Sequence, residues 1–143
     1  MAIPAQIACG LAHTLVVDTD GGVWATGRND NGQLGQLGAD EPAFIAVTGF
    51  DAITAISCGH GHSAVIDSNQ RLRASGANAL GELGRFRSLA IRVGSFMASG
   101  DRTAAHVACG AQHTAIVDDD GVLWTAGAGT YGRLGRPAGE RGE

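Results

Sequence analysis

Cysteine and histidine stand together three times in this chain, as Cys9-Gly10 … His13, Cys58-Gly59 … His62 and Cys109-Gly110 … His113. A thiol and an imidazole so close in sequence are the raw material of a zinc site or of a Cys/His nucleophile–base pair. Zinc needs four ligands converging on one point, often with two from one tight turn. These pairs recur at offsets of 49 and then 51 residues. Each pair therefore belongs to its own structural unit, and equivalent atoms of neighbouring units are expected beyond ligand distance. The expectation is no metal site: each Cys packs as a small apolar side chain, and each His bonds a backbone group of its own unit.

Two other sets of residues could do chemistry. His62-Ser63 with Asp67 offers the types of a hydrolytic triad. Adjacent residues on a strand point to opposite faces, which separates that Ser from that His. Asp18, Asp67 and Asp118 occupy one repeated position and read as turn formers that close a hairpin. Gly127-Ala-Gly129-Thr-Tyr-Gly132 has the spacing of a dinucleotide-binding loop. That loop needs a following helix and an acidic residue about 20 positions on. Here Arg133-Leu-Gly-Arg-Pro137 follows, and Gly129 has no counterpart in the other two copies. No catalytic residue and no cofactor are expected.

What the spacing does specify is a scaffold. After each His a glycine follows at 14 residues (Gly27, Gly76, Gly127) and another at 22 residues (Gly35, Gly84, Gly135). A fixed internal frame repeated with a slightly variable gap marks a repeat architecture. Within copy one, the run around Ala5 to Cys9 is short and apolar, and His13 to Asp18 is a β-branched strand. Asp20-Gly21 is a tight-turn signal, and Val23 to Thr26 returns as the hairpin partner. Copy three repeats this with Val107 to Cys109, His113 to Asp118, and Val122 to Ala126. Copy two is the degenerate one: its turn is Ser68-Asn69-Gln70, and Arg73 stands where Trp24 and Trp124 stand. Its third strand is expected to be the least well packed. Phe44 to Val47 (after Pro42, which suits an edge strand) and Ala90 to Val93 supply a shorter fourth strand. Each unit is thus four antiparallel strands in roughly 50 residues, the size of one β-propeller blade. The fold expected is all-β: one domain over 1–143 with blades at 3–48, 49–98 and 99–136, and a flexible tail at 137–143. The two Trp residues, being repeat-equivalent, are expected to pack between blades.

Composition narrows the partners. Charged residues are only 17% of the chain, the net charge is −4, and all ten basic residues are Arg. Dense phosphate contact needs a basic face, so nucleic acid is not expected as the main partner, although Arg85, Arg87 and Arg92 lie close together. Three Cys at equivalent positions argue against disulfide pairing and for an intracellular, reducing compartment, cytoplasm or nucleus. No apolar run has the length of a membrane span, and neither a membrane segment nor a signal segment is expected.

Ala-Cys-Gly-x-x-His-Thr, then Asp-Gly-x-(Val/Leu)-Trp, then Gly-x-x-x-x-Gly-Gln-Leu-Gly, resembles the regulator of chromosome condensation repeat over roughly residues 3–136. The resemblance implies a propeller of usually seven blades, of which this chain carries about three. An arc of three has two raw sides, and repeat units bury their faces on neighbours. Further blades of a longer polypeptide, a second copy of the chain, or another protein would cover them. In the family's founding branch the propeller exchanges nucleotide on a Ran-type GTPase and docks on chromatin. In a photoreceptor branch a Gly-Trp-Arg-His-Thr motif builds a light-sensing Trp cluster. The corresponding Gly10-Leu-Ala-His-Thr, Gly59-His-Gly-His-Ser and Gly110-Ala-Gln-His-Thr lack that Trp and Arg, so light sensing does not carry over. Function is expected where the copies differ, on loops held by the rigid frame. The expected partner-binding residues are Leu11, Arg28, Asn29, His60, Asn78, Gln112 and Tyr131. The module expected is a non-enzymatic protein-interaction scaffold, with guanine nucleotide exchange on a Ran-type GTPase as the alternative.

Overall fold

The computed structural model describes residues 1–49, 51–84 and 92–136, with the backbone alone for 92–102. The expected all-β repeats are present. Strands β1 (Pro4–Cys9), β2 (His13–Asp18), β3 (Val23–Gly27) and β4 (Glu41–Val47) form one antiparallel sheet in chain order. Strands β5 (Ile53–Cys58), β6 (His62–Asp67), β7 (Arg71–Ala77) and β8 (Arg92–Thr103) form the second. Strands β9 (His106–Cys109), β10 (His113–Val117) and β11 (Leu123–Gly127) form the third, three-stranded among the described residues. The β8 strand runs to Thr103, so the second sheet continues past the boundary expected at residue 98. Residues 137–143, Arg85 and Arg87 lie outside the described residues, as does the side chain of Arg92. No described helix is long and apolar enough to cross a membrane.

Alternation along the strands builds two cores, one in each space between sheets. On β2, Leu15 and Val17 face the second sheet and meet Ile53 and Val65, joined by Val23, Ala25, Leu34 and Val47. On β6, Ala64 and Ile66 face the third sheet with Leu72, Ala74 and Leu83, where Val107 and Ile116 pack against them. Strand β6 is buried along all six residues because both of its faces are covered. Its middle, Ala64-Val65-Ile66, is apolar on both faces, while His62, Ser63 and Asp67 are buried polar residues with partners.

Each hairpin end is clamped by its Asp. Asp18 accepts hydrogen bonds from the amides of Asp20 and Gly22 and from Trp24 Nε1, at 3.1, 2.9 and 2.9 Å. Asp118 does the same with Asp120, Val122 and Trp124. The half-buried Trp side chains are thus held by their own hairpins, and neither joins an inter-sheet core. In copy two, Arg73 Nε takes the indole's place and donates to Asp67 at 2.9 Å. The expectation that β7 packs worst is overturned. Leu72, Ala74 and Ser75 are buried, because the substituted position lies at the clamp rather than in the core.

Candidate functional site

The repeated Cys-Gly-x-x-His stretch bends tightly at its glycine. A β-carbon at Gly10 would lie 2.1 Å from His13 Cε1 and 2.6 Å from the Gly59 carbonyl oxygen. The missing side chain lets the imidazole lie flat on the backbone and lets the neighbouring sheet approach. The second repeated glycine closes the next loop over the first: Gly27 has φ of 102°, and a β-carbon there would lie 2.4 Å from the Ala12 oxygen. The amide of Arg28 then donates to Ala12 O at 2.7 Å, as Ala77 does to Gly61 O and Ala128 to Gln112 O, both at 2.8 Å.

Contrary to the expectation that each His bonds a backbone group of its own unit, His13 and His62 bond hydroxyls of the next unit. His13 Nε2 lies 2.8 Å from Ser63 Oγ on the second sheet, and His62 Nε2 lies 2.9 Å from Thr114 Oγ1 on the third. Each hydroxyl gives its single proton to a carbonyl in a loop of the preceding copy, Ser63 to Gln33 O and Thr114 to Glu82 O, both at 2.7 Å. The hydroxyls are then acceptors toward imidazole, which assigns the proton to Nε2 of His13 and of His62. Nδ1 of each has no hydrogen-bond partner. Burial lowers the pKa of both to about 4; for His62 the electrostatic influence of the neighbouring repeat histidines adds to it.

A Ser–His contact at 2.8 Å resembles a catalytic pair, and the chemistry rules that out. The serine is fully buried, its proton is committed to a carbonyl, and Nε2 already carries a proton. No group orients the imidazole through Nδ1, the role a third residue has in a hydrolytic triad. The sequence held the signal for this interlock, since a hydroxyl residue follows every repeat His (Thr14, Ser63, Thr114). The opposite facing of neighbours on a strand lets His62 lock forward to the third sheet while Ser63 receives His13 from the first. The thiols complete the seams: Cys58 Sγ contacts Ala8 O at 3.6 Å and Cys109 Sγ contacts Ser57 O at 3.7 Å. Burial pushes the Cys58 thiol up to about 12 and also raises that of Cys109. Among the described residues no three His, Cys, Asp or Glu side chains converge.

Above the interlock lies a groove of about 270 Å³ that crosses all three units. Backbone bonds tie the loop tips that form it, from Leu11 N to His60 O at 3.4 Å and from His60 N to Ala111 O at 3.0 Å. Leu11, Arg28, His60 and Gln112, all exposed, line it together, so four of the expected partner-binding residues share one surface. Asn31, Gln33 and Glu82 form the rest of its polar wall. Arg28 is ion-paired with Asp30. Burial alone would raise the Asp30 carboxyl, but bonds from Arg28, Gln33 and the Asn31 amide outweigh it and hold it below its ordinary value.

Three expected residues stand apart. Asn29 is buried: its Oδ1 accepts from Leu34 N at 3.1 Å and its Nδ2 donates to Gln36 O at 3.0 Å. Asn78 is buried in the same way, accepting from Leu83 N at 3.0 Å. Both are buried and brace their own loops rather than line the groove. Their matching places after Gly27 and Gly76 were the signal in the sequence. Tyr131 is 96% exposed, away from the groove, with the Arg133 guanidinium 5.8 Å from its ring.

The sequence profile of the Regulator of chromosome condensation (RCC1) repeat matches at residues 5–33, 53–82 and 104–133, and a second profile of the same repeat at 20–66. The chain is 37% identical over 142 residues to the Ultraviolet-B receptor UVR8 of Arabidopsis thaliana, covering 91% of this chain and 30% of the receptor. It is 35% identical over 139 residues to the Protein RCC2 homolog of Danio rerio, covering 91% and 28%. It thus spans less than a third of these curated relatives. Among solved structures, Prp20p of Saccharomyces cerevisiae, described with its binding to Gsp1p and histones, superposes with a TM-score of 0.79 at 22% identity, over 93% of this chain and 34% of that one. That likeness shows a shared fold, partial blades of this type of propeller. On the three matched repeats and the frame that builds them, the chain belongs to the regulator of chromosome condensation repeat family.

Proposed function

We propose that this chain is a non-enzymatic protein-recognition module, working in a reducing intracellular compartment, whose groove receives a loop or terminus of another protein. The observation that carries this reading is the convergence of copy-variable side chains from all three units on one groove, above a frame whose repeated residues are used for folding. A rigid scaffold with divergent loop tips is the arrangement of a recognition surface. Arg28 is of a residue type enriched at the energetic centres of interfaces. Its pairing with Asp30 is exposed and weak enough to be exchanged for a partner's carboxylate.

The test compares protein capture by the native chain and by an Arg28→Glu, Gln112→Glu variant with unchanged melting temperature. Partners of the groove are lost at least tenfold from the variant. Equal capture of every partner by both chains overturns the reading. The second reading is nucleotide exchange on a Ran-type GTPase, favoured by the likeness to Prp20p and its described binding to Gsp1p. Accelerated release of bound nucleotide from such a GTPase on adding the chain selects that reading; an unchanged release rate rejects it.

A further inference from the structure

Copy two carries a charge that its fold does not use. Gln33 and Glu82 stand at one repeat position, directly before the buried Leu34 and Leu83, and are 1% and 4% exposed. Their structural task is the same. Gln33 Oε1 accepts from the amide of Asn31, and Glu82 Oε2 from the amide of Leu80, both at 2.9 Å. A neutral amide oxygen thus suffices to hold this loop, and the negative charge of Glu82 is surplus to it. Among the described residues no cation pairs with the Glu82 carboxylate, and its second oxygen, Oε1, receives no hydrogen bond. That oxygen is not sealed in the interior. Glu82 lines the groove, so Oε1 opens there. A carboxylate enclosed to this degree is rarely left without a counter-charge, because desolvation without a partner is costly.

The surrounding positions differ between the copies in the matching way. Copy one has Arg28 ion-paired with Asp30, and Gln33 Nε2 donates to the same carboxylate at 3.3 Å. In copy two the corresponding places hold Ala77 and Ala79. The internal cation and its counter-ion are both gone, and a lone carboxylate remains. Ala77 lines the groove as Arg28 does, and its methyl fills little of the room that a long side chain takes. This part of the groove lies on the seam between the second and third sheets, with Gln112 on its far wall. Resting on the reading of the groove as a recognition site, we infer that the second unit's share of it is a pocket for one basic side chain, Arg or Lys, of the bound protein segment. The guanidinium or ammonium donates to Glu82 Oε1, and the exposed Gln112 offers an amide oxygen as a second acceptor. Charge complementarity names the occupant: Arg28 is paired with Asp30, so the uncompensated charge of the groove is that of Glu82. Hydrogen bonds between ionised partners in such a partly desolvated place are the strong ones.

The probe is a library of short random peptides selected on the full chain. Retained peptides are expected to be enriched in Arg or Lys at one position. Glu82→Gln removes the charge and keeps an oxygen for the Leu80 amide, as Gln33 does for Asn31, so the melting temperature stays near native. It weakens the basic peptides by about tenfold or more, the size of a lost hydrogen bond to a charged group. Ala77→Arg restores the cation that copy one has at this place and weakens the same peptides, although Glu82 is intact. Ala111→Trp fills the groove without changing its charge and reports whether a peptide sits there at all. Peptides lost from Ala111→Trp that show no basic preference, or that bind Glu82→Gln as well as the native chain, overturn this inference and leave the groove as a recognition site. Selected peptides indifferent to Ala111→Trp overturn the groove reading, and the basic pocket with it.

Discussion

At Gln70 the backbone takes a φ of 60°, the left-handed conformation that side chains with a β-carbon adopt at a cost. The equivalent turn residues in the other copies are glycines, Gly21 at 79° and Gly121 at 78°. The Gln70 side chain is exposed and its backbone oxygen accepts from Ala104 N, so nothing of the seam is lost with the side chain. Relief of the left-handed strain, about 1–2 kcal/mol, exceeds the extra chain entropy of glycine, about 0.4–1 kcal/mol. Gln70→Gly is expected to stabilise the fold by roughly 0.5–1 kcal/mol, read as a melting temperature raised by a few degrees. The reverse change at Gly21 meets Ala52, whose β-carbon would lie 2.5 Å from the new one, and should lower the melting temperature sharply. A Gln70→Gly chain that melts at or below the native temperature contradicts this account.

Among elements, the hairpins show what was legible in the sequence and what was not. The extents of β2 and β3, and the turns between them, follow from β-branched runs bounded by Asp-Gly, and they appear where the pattern placed them. The packing of β7 did not follow, because Arg73 stands where the other copies have Trp and the sequence does not display the carboxylate it meets. Its role is to donate to a buried carboxylate, which either indole or guanidinium can do. In the same way Asn29 and Asn78 read as free loop residues in the sequence, whereas each accepts from a backbone amide five residues on, that of Leu34 and that of Leu83, which the turn brings round. The histidine interlock joins residues about 50 positions apart, and one-dimensional periodicity names its members without naming their partners. The clamp gives a prediction at this scale. Asp67 is fully buried and takes bonds from the amides of Asn69 and Arg71 as well as from Arg73. Burial raises its pKa, but these donors together hold the carboxyl below its ordinary value. Arg73→Leu leaves that carboxylate short of a donor and is expected to cost about 2–3 kcal/mol. Arg73→Trp supplies an N–H at the place where copies one and three have one, and should stay within about 1 kcal/mol of native. Urea unfolding midpoints separate the two variants. Equal losses would mean that the clamp's third donor is not what holds the hairpin end.

For the molecule as a whole, two buried imidazoles join three sheets, and both are neutral for a structural reason. Their Nε2 protons are engaged, and protonation would place a second N–H on Nδ1, where the glycine backbone is packed and no acceptor stands. The folded pKa of about 4 lies below the ordinary 6.5 of an exposed histidine. Between those values the unfolded chain binds protons that the folded chain refuses, so stability rises with pH across that window. The stabilisation from neutral His13 and His62 is complete above about pH 6.5 and is lost as the pH falls toward about 4. At its steepest each histidine accounts for about 1 kcal/mol per pH unit. Asp18 and Asp67, whose carboxyls are held below their ordinary 3.8, act in the same direction but at still lower pH, so they do not blur the window. Urea unfolding at pH 7.5, 6.0 and 5.0 should therefore give stabilities that drop by about 2 kcal/mol for each unit below 6. His13→Gln and His62→Gln each remove one titrating group and should roughly halve that slope, whatever they do to stability at pH 7.5. A native slope that neither variant changes would mean that the seams between sheets do not depend on imidazole neutrality, and that the tautomers assigned from the hydroxyl network are wrong.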